Sequence, residues 1–310
     1  MKHCFTVALV LSCLLIAVDS QADPALGPSA KPENDASKLV DQVLDRLANG
    51  QPFEAKVRQR VWASGREVVG VGHLTQAASG TGAFKMSLTI HDGNGKHSPH
   101  SFEQVSDGRL AYTRTVIGGT VSLKRVDVGW LDEGLRTLRR NDRVRPSMKV
   151  GGICEMIDTL RRDYDLRVGT SELDGRSLYV LIGRLKENRI AAIKQESNRD
   201  LPELFPRRVH VFITAEDDPR TGVQRGVPIR IEHRGAPPST GGEQAASSKT
   251  NPGGLISLLE LYSIQPTSPP RIQQFRFENQ DASVTFENET GRYEDRFDIR
   301  VSAKQRERFR

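Results

Sequence analysis

The feature that most limits what this chain can fold into is a run of two-residue alternation between Glu54 and Val126. In Glu54–Ala63 the positions Ala55, Val57, Val61 and Ala63 are apolar, while Glu54, Lys56, Arg58 and Arg60 are charged. Thr81–His91 alternates as strictly, with Gly82, Phe84, Met86, Leu88 and Ile90 against Thr81, Ala83, Lys85, Ser87 and Thr89. Side chains on a strand point to opposite faces with period two, so each segment has one apolar and one wetted side. Between them, Arg66–Gln76 carries Gly70 and Gly72, and glycine inside a strand marks a bend or a bulge. The run predicts a curled antiparallel meander.

Around it the period changes. Asp35–Asn49 places Leu39, Val40, Val43, Leu44 and Leu47 on one helical face, with Gly50 as its stop. Asp107-Gly108, between Phe102–Ser106 and Arg109–Arg114, reads as a type I′ hairpin turn with positive φ at both central residues. Gly118-Gly119 turns the chain into Thr120–Val126. Asp127–Asn141 then reads as a helix with Asp132 and Glu133 early and Arg136, Arg139 and Arg140 late, an order that complements the helix dipole. Gly152–Asp163 repeats the helical period with Ile153, Met156, Ile157 and Leu160. These two short helices suit a lid over the sheet.

Leu166–Glu172 and Ser177–Leu185 form a second hairpin about Asp174-Gly175, and Lys186–Gln195 is weakly helical. Arg207–Ile213, Val227–His233, Leu255–Ile264, Arg271–Glu278 and Ser283–Glu287 read as further strands. Gly235–Gly254 is rich in Gly, Ser and Pro and reads as a mobile loop, and Arg292–Arg310 as a charged tail that frays. With about eleven strands and no βαβ alternation, the expected class is α+β: a curved antiparallel sheet in one domain over 35–297.

Met1–Ala22 has a basic start, an apolar middle and small residues at its end, the layout of a secretory signal peptide cleaved after Ala22. Asp23–Asn34 follows as a tether. Cys4 and Cys13 leave with the signal, so Cys154 has no partner for a bridge and reads as core filler. The expected location is periplasmic or secreted. With 36% hydrophobic and 27% charged residues the chain is globular. Its net charge of +6 is spread along strand faces and helix ends, which suits an anionic membrane surface or an envelope protein better than nucleic acid.

Catalytic and metal-binding spacings are missing: there is no HExxH, CxxC, GxSxG or Walker loop. His91, His97 and His100 cluster about a Gly-containing turn, where solvent exposure is the simpler reading. Glu216-Asp217-Asp218 lacks the spaced ladder of a calcium loop and reads as a turn. Asn288-Glu289-Thr290 fits a glycosylation acceptor. No cofactor and no enzymatic activity are expected.

Several short motifs together resemble the LolA-like family of exported lipoprotein carriers. They are the opening amphipathic helix, Lys56-Val57-Arg58-Gln59-Arg60-Val61, Gly70-Val71-Gly72-His73-Leu74 and Phe102-Glu103-Gln104-Val105-Ser106-Asp107-Gly108-Arg109-Leu110. Leu259-Glu260-Leu261-Tyr262-Ser263-Ile264 followed by Phe275-Arg276-Phe277 is similar to the family's closing strands. The resemblance implies a half-open barrel whose concave face, covered by helices, holds acyl chains. The family carries a basic residue, typically in an Arg-Pro pair, ahead of the third strand; here Ala77-Ala78-Ser79-Gly80 stands there, so that arginine is not carried over.

A single curled sheet under thin helices leaves interior volume that two packed sheets would fill. The expected cavity wall is Val57, Val61, Phe84, Met86, Leu88 and Ile90, closed from the helices by Leu131, Leu135 and Ile157; a plain hydrophobic core is the simpler alternative. The expected function is to bind a lipid, a lipoprotein acyl group or another apolar ligand, with a lipid or an acylated protein as partner. The alternative is an envelope sensor of the same fold that works through a protein partner.

Overall fold

The computed structural model describes residues 33–63, 66–90, 100–137, 144–198, 200–202, 205–235, 254–279, 281 and 283–299. The signal peptide, nearly all of the tether, His91, His97, Leu138, Arg139, Arg140, the body of the Gly235–Gly254 loop and the tail beyond Ile299 lie outside the described residues.

Helix α1 (Glu33–Asn49) leads into strands β1 (Phe53–Ala63), β2 (Arg66–Gln76), β3 (Ala83–Ile90), β4 (His100–Asp107), β5 (Leu110–Ile117) and β6 (Thr120–Asp127). Helix α2 (Val128–Thr137), a 3-10 turn (Pro146–Lys149) and helix α3 (Gly152–Asp163) follow. Strands β7 (Tyr164–Leu173) and β8 (Arg176–Leu185) lead through helix α4 (Glu187–Ser197) to β9 (Arg208–Thr214), β10 (Pro228–Arg234) and β11 (Leu255–Pro266). A 3-10 turn (Ile272–Phe275), strand β12 (Phe286–Asn288) and helix α5 (Thr290–Arg296) close the described chain.

All the strands join one curved, unclosed sheet of 12 in the order β12-β6-β5-β4-β3-β2-β1-β11-β10-β9-β8-β7. β1 lies between β2 and β11, with Val57 opposite Gly72 on one side and Leu261 on the other. Strands from the two halves of the sequence are therefore spliced at the centre. β6 and β7 stand at opposite ends, so the connection through α2, the 3-10 turn and α3 must cross the whole inner face.

That crossing buries the core. Leu39, Val40, Val43, Leu44 and Leu47 of α1 join Ile153, Ile157 and Leu160 of α3 over Val57, Leu74, Met86, Leu88, Val209, Val211, Ile231 and Leu259 of the sheet. Each such side chain, fully buried, contributes roughly 1.5–3 kcal/mol. α2 packs separately, with Leu131 and Leu135 against Ala111, Val126, Tyr293 and Ile299. Asp127 caps it, accepting the Trp130 amide at 2.9 Å.

Gly72 has a steric cause. A Cβ there would lie 1.7 Å from the Ser87 carbonyl oxygen. The register runs unbroken through Gly70 and Gly72, so these glycines permit close approach without forming a bulge. The irregularities fall at Glu54/Lys56, Pro228/Arg230 and His233/Arg234.

Four expectations are corrected. The turn between β4 and β5 pivots on Gly108 (φ 85) and Arg109 rather than on Asp107-Gly108. Asp107 Oδ1 accepts the Arg109 and Leu110 amides at 2.8 Å each, which gives a two-residue turn with glycine first. Arg271–Glu278 is not a strand. It lies across the outer face, where no strand edge is open, and sets Phe275, 2% exposed, over Ala77, Ala83 and Val105. β12 overlaps the expected strand Ser283–Glu287, but it pairs with β6 in parallel rather than antiparallel, over three residues. The start of the expected tail is ordered: α5 buries Tyr293 and Glu294, and Ile299 beyond it is also buried.

Candidate functional site

The inner face is organised in rows that cross the strands. One row runs Ala55, Leu74, Met86, Gln104, Thr113, Lys124 from β1 to β6. The next runs Val57, Gly72, Leu88, Phe102, Thr115, Ser122. Both are aliphatic at the centre of the sheet and polar towards β6. Period-two alternation fixes which residues face inward, and the register fixes which of them meet.

All nine residues expected to line a cavity are buried, from 0% exposure at Val57, Leu131 and Ile157 to 7% at Ile90. The structure brings Val57, Phe84, Met86, Leu88 and Ile157 into one cluster. Val61 and Ile90 belong to a second with Leu255 and Ile256, and Leu131 and Leu135 to a third under α2. The interior volume expected beneath thin helices is filled here by side chains of α1 and α3. The two best-formed pockets among the described residues offer about 10 and 20 Å³, room for about one water each. The larger is lined by Phe84, Gln104, Thr113, Lys124, Glu289 and Tyr293, among others.

Beside that pocket lies a charged cluster that the sequence reading missed. Arg296, 9% exposed in its side chain, pairs with Glu155 and, at 2.8 Å, with Asp158. The Tyr293 hydroxyl donates to Glu155 at 2.9 Å, and the Gly151 amide donates to the same carboxylate at 2.6 Å. Burial first, then the Glu155 charge, pushes the Tyr293 phenol far up. Arg161 links Asp158, at 3.2 Å, to Asp41 of α1, at 2.6 Å. At the pocket's rim Lys124 pairs with Glu289. The available signal was spacing: Tyr293 and Phe297 share a helical face, and Lys124 has the strand parity of inward Val126.

The Ala77–Gly80 turn ahead of β3 has a structural task. Ala78, Ser79 and Gly80 are consecutive left-handed residues, with φ 47, 50 and 72. Their amides reach the end of α1: Gly80 donates to the Ala48 carbonyl at 2.8 Å and Ser79 to that of Gly50 at 3.3 Å. The Gln76 amide adds a bond to the Leu47 carbonyl at 3.1 Å. Carbonyls left open at the helix end are thus satisfied by the sheet.

Nothing in the described chain resembles a nucleophilic centre. Burial, followed by Asp158, pushes the Cys154 thiol up to about 12, which keeps it protonated. His233 Nδ1 lies 2.8 Å from Ser257 Oγ, but that serine is 3% exposed and burial pulls the imidazole down to about 4. The pair is a satisfied internal hydrogen bond flanked by Val61 and Val209. His100 Nδ1 accepts the Gly118 amide at 3.1 Å. Asp217 and Asp218 spend their oxygens on the turn itself, on the amides of Arg225 and of Arg220 and Thr221. Asn288 Oδ1 accepts from the Thr290 amide and hydroxyl at the start of α5. Among the described residues, no His, Cys, Asp and Glu group is placed to hold a metal ion, and no helix is long and apolar enough to cross a membrane.

No family model and no curated protein matches the chain. Solved structures similar to it include MucB, 16% identical over 80% of this chain and 64% of that one at a TM-score of 0.37. The chain thus spans just under two thirds of MucB, which has also been solved, from Pseudomonas aeruginosa, in complex with MucA. A LolA superfamily protein from Nitrosomonas europaea is 12% identical over 78% of this chain and 97% of its own, at 0.28. An outer membrane lipoprotein-sorting protein domain from Vibrio parahaemolyticus is 10% identical over 77% and 97%, at 0.32. These structures include the group that the sequence motifs resemble.

Proposed function

We propose that the chain is an exported binding protein whose inner face takes the apolar part of a lipid or an acylated protein when α1 and α3 give way. The observation that carries this reading is the aliphatic floor formed by Ala55, Val57, Leu74, Met86 and Leu88, covered by helices without a covalent tie. Cys154 is free, and no disulfide locks the described cover. An acyl chain would replace helix side chains on this floor with equivalent dispersion contacts. It needs no pre-existing void.

Native mass spectrometry of the exported protein and uptake of a fluorescent fatty-acyl probe test this. Co-purifying lipid and saturable uptake by the wild type, lost in a folded Met86→Trp variant, are the expected results. A wild type that is empty and never takes up the probe would reduce the inner face to an ordinary core.

A second reading, an envelope module that acts through a protein partner, draws on the outer face. Val69 and Val71 on β2 and Tyr262 on β11 are 40%, 48% and 39% exposed. They flank β1, where the Arg58 guanidinium lies 5.7 Å from the centre of the Tyr262 ring. Tyrosine and arginine are enriched in binding hot spots. An empty protein that co-purifies with a partner, and loses it on Val71→Asp, would favour this reading.

A further inference from the structure

We propose that the C-terminal segment Glu289–Ile299 is an internal stopper. In it Glu289 stands on Lys124 in place of a ligand's anionic headgroup, while Tyr293 and Arg296 hold α3 over the apolar floor. The ligand class is then an anionic amphiphile, a single aliphatic chain with a carboxylate-like head. This deepens the lipid-binding reading and rests on it.

Lys124 supplies the first line of argument. The inner row that begins with Ala55, Leu74 and Met86 ends in an amide, a hydroxyl and an ammonium: Gln104, Thr113 and Lys124. Lys124, 37% exposed in its side chain at the end of this inward row, pairs with Glu289, whose side chain is only 16% exposed. Glu287 lies 3.7 Å from the same ammonium. The distance from Met86 to Lys124 along the row spans three strand spacings, roughly 14 Å, a length that suits an aliphatic chain with its charged head at the rim.

The second line is the place of the segment in the chain. It is tied to the sheet through β12, which pairs with β6 over only three residues, and no other described strand follows it. A segment tied to the sheet by so short a pairing can leave its seat without opening the antiparallel ladder. Its contacts are nevertheless chosen. The Thr290 hydroxyl accepts the Asp127 amide at 2.9 Å, and the Trp130 indole donates to Glu294 at 2.6 Å. Ile299 packs on Gly134, where a Cβ would lie 2.4 Å from the isoleucine. α2 and α3 are thus held by one short piece of chain.

The third line is what release would do. Without Arg296 and Tyr293, Glu155 keeps the Gly151 amide but loses its counter-ion and a hydroxyl donor. A carboxylate that loses its partner gains by reaching water, and Glu155 sits in the first turn of α3. Asp158 would retain Arg161 and, through it, Asp41 of α1, so the first turn of α3 swings out while the rest of the helix stays tied to α1. Two of the residues that line the 20 Å³ pocket, Glu289 and Tyr293, would leave with the segment. Lys124 and Phe84 would then share one opening.

The test uses the full mature chain, with hydrogen exchange over Gly152–Asp163 and binding of a dansylated undecanoic acid, its methyl ester and acetate. A Tyr293→Phe/Arg296→Gln variant is expected to speed exchange in α3 and to tighten binding of the acid by about 10-fold, the usual scale of a coupled conformational step. Lys124→Met should erase the preference for acid over ester. Acetate, a head without a chain, should not compete; competition by acetate would mean a free-anion site and overturn the amphiphile assignment. Unchanged exchange in the double variant overturns the stopper, whatever binds. Faster exchange with no uptake of either probe by any variant overturns the lipid-binding reading itself. Equal binding of acid and ester to the wild type removes the headgroup role of Lys124. If the double variant does not fold, Arg296→Lys, which keeps the charge and loses the fork, is measured in its place. An unfolded Arg296→Lys would make the segment plain core and refute the proposal.

Discussion

His233 shows how one residue turns burial into a pH response. Burial holds the imidazole down at about 4, against an ordinary 6.5. Between those values the unfolded chain binds a proton that the folded chain refuses, so stability is full above pH 6.5 and falls as pH drops towards 4. Because His233 is only half-buried as a residue, the swing is at most about 3 kcal/mol. Urea denaturation between pH 4 and 7 should show this limb in the wild type and a flatter one in His233→Gln, whose amide can still bond Ser257. Backbone conformation gives a second prediction at this scale. Ser79 is exposed at φ 50, and a left-handed L-residue costs roughly 1–2 kcal/mol. Ser79→Gly should therefore raise the unfolding free energy, read by urea denaturation, by up to about 1 kcal/mol after the added freedom of the unfolded chain is subtracted. Gly72→Ala should do the reverse and cost about 3 kcal/mol or more, because the obstacle is the Ser87 backbone.

Elements tell which expectations survive packing. β1, β2 and α3 stand within a residue of where alternation and helical period put them, since each has one apolar face to hide and one partner to hide it against. The Arg271–Glu278 segment has the same alternation, but it lies over β3 and β4, which are paired on both sides, so its aromatic residues cover the outer face. Phe275→Ala should accordingly cost about 3–5 kcal/mol, the range for a buried aromatic, as an unpaired peripheral strand would not. Met86 lies 1% exposed under the helices. Met86→Ala should therefore fall inside the packed-core range of roughly 2–5 kcal/mol when no ligand is present. A loss well below that range, measured by the same denaturation, would show that the helices rest on the floor without gripping it.

At the scale of the molecule, the seam between β1 and β11 decides how the chain behaves as a unit. β11, from late in the sequence, is hydrogen-bonded between β1 and β10, and neither half can complete its sheet alone. One cooperative transition is the expected outcome. The Gly235 amide bonds the Gly254 carbonyl at 2.8 Å across the neck of the Gly- and Ser-rich loop. Proteolysis inside that loop should leave the two fragments associated on gel filtration and unfolding together. Fragments that part and remain folded would mean two domains.

Much of this architecture was legible in the sequence because it depends on local periodicity. Alternation at Ala55, Val57, Phe84, Met86 and Leu88 and the stripe from Leu39 to Leu47 fix which side chains must be hidden, whatever hides them. Two of the turns were equally plain: Gly118-Gly119 and Asp174-Gly175 have positive φ at both positions, as their residue types require. What the tertiary structure alone decided is which hidden faces meet. Nothing local to Lys124 or Glu289 announces that they pair across 165 residues, or that Arg296 reaches Glu155. Such pairs are set by strand order and by the path of the chain across the inner face. The same holds for the filled interior. Whether helices sink into a curved sheet or bridge it depends on volumes summed over many residues from distant parts of the chain, a quantity that no short stretch of sequence carries.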